Sequence, residues 1–370
     1  MHPKELTGIM LFHEEERGRE FLEKITGKKP VFVCVIGTTD TAKIPGISAA
    51  GKTPELTEYT PAADVELLIL GRCKCIDTVP VTPEGIPTPA IITLSALRLA
   101  HIPVLVVDAG ARIKPQVPFI SLGGFPGKDI RSGSAVVNVE EVFLKAKVLG
   151  EQLSMIADYL VVGESIPGGT TTALAVLLAL GVNARGKVSS SMPHNPHDLK
   201  IRVVEQALKA AGVSFGQLGN NPLKAISLVG DPVMPAFAGI VVGAAKRIPV
   251  LMAGGTQMCA ILKIVKELDE SVVENIAIGT TRWIIHDKTS DIRGLVEQIA
   301  DVPILAANID FSKSRFDGLR AYERGAVKEG VGAGGAVISA IAKTRGGITV
   351  DDVVREVEKN YELLLKRGQI

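Results

Sequence analysis

The fold of this chain is decided by the stretch from Leu160 to Gly181, which reads LVVGESIPGGTTTALAVLLALG. The stretch begins as a buried strand, passes through a glycine-rich turn with three threonines, and continues as an apolar helix. At such a junction the first backbone N–H groups of the helix lack intrahelical partners, and glycines let an anion approach them. The turn therefore predicts a phosphate site, although a tight turn that binds nothing has the same pattern.

The spacing of this turn partly fits a nucleotide-binding P-loop. Gly163, Gly168 and Thr170 match the frame G-x-x-x-x-G-K-[ST], but Gly169 stands where that frame requires lysine. Because a triphosphate without this cation is poorly held, we interpret the turn as a site for a monophosphate.

Apolar runs alternate with helical patterns along most of the chain. The runs predict buried strands at Val31–Ile36, Val65–Leu70, Val104–Val107, Tyr159–Val162, Ala225–Val229, Val250–Met252 and Ile304–Ala307. Helices are predicted at Thr88–Ala100, Val139–Met155, Thr171–Leu180, Asp198–Ala211, Pro235–Ala245, Gln257–Leu268 and Asp291–Ala300. This order predicts an α/β fold with a doubly wound, mostly parallel sheet and helices on both faces.

Ligands of such sheets bind at the carboxyl ends of the strands. We expect one cleft there, lined by turns that carry Gly, Ser, Thr or Asp: Gly37–Asp40, Asp108–Gly110, Gly163–Thr172, Gly230–Asp231 and Gly254–Thr256. The proline-rich stretch Val79–Pro89 predicts a long loop over the surface or over this cleft.

The two ends of the chain are more charged than its middle. Helical patterns at Lys4–Thr26 and Thr349–Arg367 have no neighbouring predicted strand. We expect residues 1–29 and 349–370 to form a small helical subdomain, and residues 30–348 to form a large α/β domain for nucleotide binding and catalysis.

The composition argues against several classes of protein. Lys and Arg (41) nearly balance Asp and Glu (40), and aromatic residues make up only 4%, so nucleic acid is not an expected partner. The longest apolar stretch, Pro235–Gly255, is interrupted by Lys246 and Arg247, so no membrane helix is expected. The first residues lack the layout of a signal peptide, and we therefore expect a cytoplasmic protein.

Residues that could bind a metal are scattered. Cys73 and Cys75 form a C-x-C pair without a second pair at zinc-site spacing, and His194 and His197 fall in an irregular, proline-flanked stretch. We expect neither a metal site nor a cofactor.

A second glycine-rich motif, Glu329–Ala336, precedes the apolar run Val337–Ala342. Glu329 has two readings at this point. It could cap the helix as a solvated carboxylate, or it could act as a general base whose pKa is raised by apolar neighbours.

These two motifs, in this order, resemble those of the nicotinate-nucleotide:dimethylbenzimidazole phosphoribosyltransferase family, and most of all its mainly archaeal branch. Gly163-Glu164 and Gly168-Gly169-Thr170-Thr171 resemble the family's phosphate loop, and Glu329-Gly330-Val331-Gly332-Ala333 resembles its catalytic motif. The resemblance extends in order from about Val31 to Ala340. It includes Leu199-Lys200-Ile201, Val106–Gly110 and Pro249–Gly255.

The chain departs from the family pattern at three positions of the expected site. Gly169 replaces an asparagine, Gly254 replaces an aspartate, and Val331 replaces a hydroxyl residue. The family resemblance therefore implies the reaction type more strongly than the substrates.

The resemblance implies an enzyme that moves the 5-phosphoribosyl group of nicotinate mononucleotide to a benzimidazole-type base. The products would be nicotinate and an α-riboside 5′-phosphate for the lower ligand of cobalamin, and the family also implies a homodimer. By the same resemblance Glu329 would accept the proton of the base. The phosphate or nucleotide would be held by Glu164, Gly168, Gly169, Thr170, Thr171, Lys200, Gly254, Gly255 and Gly330.

Other readings of the same residues remain open. A phosphoribosyltransferase that uses a diphosphate donor, a nucleotide glycosidase that uses water, and a nonenzymatic nucleotide sensor could all retain the phosphate turn.

Overall fold

The computed structural model describes residues 6–192, 194–368 and 370. Its centre is one sheet whose strand order is β1-β8-β7-β6-β5-β2-β3-β4. The strands are β1 Ile9–His13, β2 Pro30–Gly37, β3 Val104–Gly110, β4 Ile120–Ser121, β5 Tyr159–Ser165, β6 Val250–Ala253, β7 Ile276–Thr281 and β8 Ile304–Ala307. All neighbouring pairs are parallel except β1 and β8, which are antiparallel.

Helices cover the sheet and connect most of its strands. They are α1 Glu15–Ile25, α2 Thr60–Leu70, α3 Ala90–Leu99, α4 Val139–Leu153, α5 Gly169–Ala179, α6 His197–Ala211, α7 Pro222–Val229, α8 Val233–Ala245, α9 Gln257–Leu268, α10 Arg282–Ile285, α11 Ile292–Val296, α12 Asp317–Arg320, α13 Ala333–Lys343 and α14 Val350–Lys366. Short 3₁₀ helices lie at Asp40–Lys43, Glu55–Glu58, Ile130–Ser132, Glu270–Asn275 and Ala321–Arg324.

Both faces of the sheet are buried, which confirms the predicted doubly wound fold. In β2, Val33 and Val35 face one apolar core, whereas Phe32, Cys34 and Ile36 face the other. The central strands therefore have almost no polar side chains, because neither face meets water.

Two predicted strands are wrong. Val65–Leu70 belongs to helix α2, and Ala225–Val229 belongs to helix α7. Nine residues of α2 are buried, so the helix shows no polar face and its apolar run looks like a buried strand. The helix ends at Gly71, whose φ of 69° is the left-handed conformation that favours glycine.

The prediction also missed three of the described strands, β1, β4 and β7. β7 was not predicted, and Ile9–His13 forms the edge strand β1 inside the predicted helical pattern Lys4–Thr26. Lys4 lies outside the described residues. The helical part of that pattern is α1, which begins only at Glu15.

The helical pattern at the other end is confirmed. Helix α14 begins with a capping box, in which Thr349 and Asp352 satisfy each other's backbone N–H groups. It packs on α3, whereas α1 packs on β1, β8 and α13. The grouping of the two ends into a helical subdomain stays a prediction.

The strand order places a topological switch between β2 and β5. From β2 the sheet continues to β3 and β4 on one side, and from β5 it continues to β6 on the other. Crevices form at such a switch, at the carboxyl ends of the strands. In the part of the chain that the structure describes, no helix is long and apolar enough to cross a membrane.

Candidate active site

A pocket of about 900 Å³, its open mouth included, lies at the carboxyl end of β5. Most of its lining comes from five segments that are far apart in the sequence, residues 47–50, 80–89, 164–170, 189–191 and 327–331. The rest comes from Thr60, Asp64, Gly255, Gln257 and Ile284. The proline-rich segment 80–89 is thus a wall of the site, as predicted. Of the turns expected in the cleft, Gly37–Asp40, Asp108–Gly110 and Gly230–Asp231 are not among the described residues that line it.

The turn between β5 and α5 forms the base of the pocket. Gly168 has a φ of 82°, and a Cβ atom there would lie 3.1 Å from the backbone of Ala42, so the position requires glycine. Gly168, Gly169 and Thr170 line the pocket. Helix α5 starts at Gly169, and its N-terminal end therefore points at the cavity, as an anion site requires.

The backbone N–H groups of this turn are unequally available. Gly169 donates to the carbonyl of Ile166, and Thr171 donates to that of Gly168. In the described part of the chain, the N–H groups of Gly168 and Thr170 make no such bond. Thr171 is fully buried, does not line the pocket, and its hydroxyl has no hydrogen-bond partner among the described residues.

Lys200, in the first turn of α6, lies directly behind the phosphate turn. Its Nζ donates to Thr170 Oγ1 at 2.8 Å and to the carbonyl oxygen of Ser189, and the side chain is fully buried. Burial lowers the pKa of Lys200 to about 7. An anion bound at Thr170 would restore the charged form, because it would replace the hydration that the ammonium group has lost.

Glu329 lies in the loop before α13 and faces the same pocket. Its Oε1 accepts a hydrogen bond from Gly330 N at 3.0 Å, and its Oε2 accepts one from Gly334 N at 3.2 Å. Gly334 belongs to the first turn of α13, so the carboxylate does cap this helix. The surrounding protein raises its pKa to about 8, although the side chain keeps partial exposure in the pocket. Both readings of Glu329 are thus compatible with its position.

The loop that carries Glu329 has a strained backbone. Val327, Lys328 and Val331 have φ values of 64°, 61° and 54°, a conformation that side chains with a Cβ atom rarely adopt. Three hydroxyl and carboxyl groups from elsewhere hold the loop. Thr281 Oγ1 donates to the carbonyl of Lys328 at 2.6 Å. Thr93 Oγ1 donates to the carbonyl of Val331 at 2.9 Å. Asp287 forms a buried ion pair with Lys328 at 2.8 Å.

Glu164 is buried at the end of β5 and lines the pocket. Its carboxylate accepts a hydrogen bond from the backbone of Ile166, so it braces the phosphate turn. Burial, and then the nearby Asp231, raise its pKa to about 8. Among the described contacts, no ion pair joins Glu164 to Lys200.

Side chains of α9 fill the space at two of the three departures from the family pattern. A Cβ atom on Gly169 would lie 2.2 Å from Gln257 Nε2, so this amide occupies the space beside the turn. A Cβ atom on Gly254 would lie 2.9 Å from Met258 Cε. Gly255 lines the pocket, whereas Gly254 does not. Gly330 has a φ of 158°, and a Cβ atom there would lie 3.1 Å from Pro89 Cγ.

Sequence reasoning missed a buried carboxyl group in the pocket wall. Asp64 lies on α2 with 2% of its surface exposed, and it lines the cavity. Thr88 Oγ1 and Ser165 Oγ each donate a hydrogen bond of 2.7 Å to its carboxylate. Burial raises the pKa of Asp64 to about 7. Its sequence position does not indicate a pocket residue, because it directly precedes Val65–Leu70, whose apolar pattern predicts a strand.

Comparison with known proteins places the chain among phosphoribosyltransferases. A family model described as phosphoribosyltransferase matches residues 90–282. A UPF0284 protein of Sulfolobus acidocaldarius is 51% identical over 93% of this chain and 99% of its own length. A UPF0284 protein of Methanopyrus kandleri is 47% identical over 96% of this chain and 94% of its own.

Solved structures support the same fold. CobT from Thermus thermophilus matches with a TM-score of 0.57 and 16% identity, over 88% of both chains. A second structure from that organism, a nicotinate-nucleotide-dimethylbenzimidazole phosphoribosyltransferase, matches with a TM-score of 0.55 and 17% identity, over 90% of both chains. The chain therefore belongs to the nicotinate-nucleotide:dimethylbenzimidazole phosphoribosyltransferase family and is a phosphoribosyltransferase.

Proposed function

We propose that the chain transfers the 5-phosphoribosyl group of nicotinate mononucleotide to a nitrogen of a benzimidazole-type base. The products are nicotinate and an α-riboside 5′-phosphate, a precursor of the lower ligand of cobalamin. The observation that carries the proposal is the position of Glu329, which lines the same pocket as the phosphate turn at Gly168–Thr170.

The phosphate end of the pocket suits the 5′-phosphate of the donor. The N–H groups of Gly168 and Thr170, the hydroxyl of Thr170 and the start of α5 supply donors without requiring a bulky side chain. Lys200 would supply a positive charge next to the phosphate, because its Nζ donates a hydrogen bond to the hydroxyl of Thr170. Fixing the phosphate would hold the ribose in one place between the two bases, which lowers the entropic cost of the reaction.

The chemistry needs one proton acceptor. Nicotinate is attached to ribose C1′ through its ring nitrogen, so it already carries a positive charge and leaves with the electrons of the broken C–N bond. One nitrogen of the incoming base attacks C1′ from the opposite face, and its other ring N–H becomes acidic. Glu329 accepts that proton, a role worth about 10² to 10⁴ in rate.

Glu164 has a supporting role in this proposal. Because its carboxylate accepts a hydrogen bond from the backbone of Ile166 and lines the same pocket as Glu329, it would hold the phosphate turn in position beside the ribose. Gly255 and Gly330 line the pocket and would allow the nucleotide to approach the backbone. Gly254 does not line the pocket, and its part would be to leave room for Met258 beside it.

The same proposal includes a homodimer. Large apolar side chains are exposed on α4 and directly after it, at Leu144, Val148, Met155 and Ile156. Such a patch is unusual on the surface of a monomer. Light scattering should give twice the mass of the chain, and Val148→Glu should shift the mass towards the monomer. A monomeric wild-type protein would exclude the dimer.

The test of the activity is product analysis by mass spectrometry. The protein is incubated with nicotinate mononucleotide and benzimidazole or dimethylbenzimidazole, with and without EDTA. Riboside phosphate together with free nicotinate in both samples supports the proposal. Nicotinate with ribose phosphate would indicate a glycosidase, and binding without products would favour a sensor. A metal-dependent product from a 5-phosphoribosyl 1-diphosphate donor, with none from nicotinate mononucleotide, would favour a diphosphate-donor enzyme.

A further inference from the structure

A buried carboxyl group, Asp64, has no assigned task in the reaction described above. It lines the pocket with 2% of its surface exposed, and it makes no ion pair with any residue that the structure describes. Burying a carboxyl group without a cation is costly, so its place in the pocket wall calls for a reason.

The contacts of Asp64 leave it able to accept further hydrogen bonds. Thr88 Oγ1 donates to Oδ1 and Ser165 Oγ donates to Oδ2, each at 2.7 Å. A carboxylate has about four acceptor positions, and these two donors occupy one on each oxygen. Both donors are themselves pocket residues, so the group is held firmly at the cavity wall.

Asp64 and Glu329 are connected through one strip of pocket wall. The Cα of Gly330, next to Glu329, faces Pro89 so closely that a Cβ atom would lie 3.1 Å from its ring. Pro89 follows Thr88, and Thr88 contacts Asp64. Asp64 and Glu329 therefore border the same strip of the pocket wall, and a flat base that gives its ring N–H to Glu329 would extend along this strip towards Asp64.

The rest of this strip is mostly apolar. Val81, Ile86, Pro87 and Pro89 line the cavity from the proline-rich segment, together with Thr82, whose hydroxyl accepts a hydrogen bond from Ile86 N. An apolar slot with one placed carboxylate is typical of a site that recognises a flat ring by a single polar substituent.

We propose, on the basis of the proposed function, that Asp64 selects the acceptor base by accepting a hydrogen bond from an amino or hydroxyl group on its benzo edge. The substrate class is then an amino- or hydroxy-substituted heteroaromatic base rather than a methyl-substituted one. Asp64 contacts the substrate and determines specificity, whereas Glu329 takes the proton.

The test compares two acceptors of nearly equal size, 5-aminobenzimidazole and 5-methylbenzimidazole, with nicotinate mononucleotide as donor. The wild-type enzyme should prefer the amino base by at least about tenfold in kcat/KM, because a site built around a hydrogen bond rejects an analogue that lacks it. Equal kcat/KM values for the two bases would overturn the role of Asp64.

Product regiochemistry gives a second readout. Either ring nitrogen of a monosubstituted benzimidazole can attack, so the amino base should give mainly one of two ribosides, as distinguished by NMR. Asp64→Ala should abolish both the base preference and the regioselectivity, and Asp64→Asn, which keeps one acceptor oxygen, should retain part of both. A preference that persists in Asp64→Ala would contradict the assignment.

These outcomes separate the two proposals. Riboside formed equally well from both bases would leave the transferase intact and remove only the role of Asp64. Failure to form riboside from any base would overturn the proposed function, and this inference with it. If Asp64→Ala does not fold, the wild-type comparison and Asp64→Asn still decide the question.

Discussion

The two glycine-rich loops of the pocket both adopt left-handed backbone conformations, but different physical effects hold them there. In the turn before α5, the one residue with a left-handed φ is Gly168, for which this conformation costs little. In the loop before α13, Val327, Lys328 and Val331 take left-handed values although each carries a side chain. Such residues cost of order 1–3 kcal/mol each and persist only when their surroundings hold them.

This difference separates a loop whose conformation follows from local sequence from one that distant residues must hold. The α5 turn takes its shape from Gly168 and from the start of a helix, so the shape on which the proposed phosphate site depends is encoded locally. The Glu329 loop depends on Thr93, Thr281 and Asp287, which come from other parts of the chain. Strain of this kind is typical of sites where one side chain must be held in one place.

The largest effect is expected from the acidic loop. Glu329→Gln keeps the shape of the side chain but removes the proton acceptor. We expect kcat to fall by about 10² to 10⁴, while the affinity for nicotinate mononucleotide stays within a few fold. Steady-state kinetics and calorimetric titration measure the two quantities. Equal loss of affinity and turnover would mean that Glu329 only caps α13.

A substitution behind the phosphate turn should lower the affinity for the nucleotide rather than the turnover. Lys200→Met removes the charge but keeps much of the buried volume, so the affinity for nicotinate mononucleotide should fall by about ten- to a hundredfold. Binding of the riboside without phosphate should change little. If the affinity gap between nucleotide and nucleoside is the same in the variant, Lys200 does not serve the phosphate.

The pH profile should reveal both loops at once. Glu329, with a pKa raised to about 8 by burial, must lose its proton to act, so kcat/KM rises as the pH increases towards 8. Lys200, with a pKa lowered to about 7 by burial, loses its charge as the pH rises, so phosphate binding weakens. We expect a bell-shaped profile of kcat/KM centred between pH 7 and 8. In Lys200→Met, the fall that the lysine causes at high pH should be absent. A flat profile between pH 6 and 9 would count against both assignments.

The smallest effect tests the anchoring of the strained loop. Thr281→Val removes the hydroxyl that donates to Lys328 O and should cost about 1 kcal/mol of stability. Because Glu329 is then held less firmly, kcat should fall by a few fold with KM nearly unchanged. Ser227→Ala, which removes a surface hydroxyl bonded to Lys224 O, is the matched control. An unchanged kcat in Thr281→Val would show that the anchor does not serve catalysis.

Much of the fold follows from short-range pattern. Strands such as β2 and β5 are apolar on both faces and end in turn residues, so they are recognised easily. The sequence of helix α2 predicts a strand, because burial on nearly every side removes the amphipathic pattern of a helix. The edge strand β1 pairs with β8, nearly 300 residues away, and a local pattern cannot contain that pairing.

The site also contains residues that a local pattern indicates and residues that only tertiary packing brings in. Gly168, Gly169 and Thr170 form a local motif, and the structure brings them into one pocket with Glu164, Gly255, Glu329 and Gly330. Gln257, which fills the space beside Gly169, and Asp64 come from other helices. Their contribution depends on tertiary packing, so no spacing in the sequence indicates it.

The central claim is a single in-line displacement at C1′ in a pocket that holds both bases. The most direct test is the anomeric configuration of the product formed from nicotinate β-mononucleotide, read from the C1′ proton by NMR. One displacement inverts the carbon, so the account predicts the α-riboside alone. A β-riboside, a mixture of anomers, or free ribose phosphate in place of riboside would contradict it.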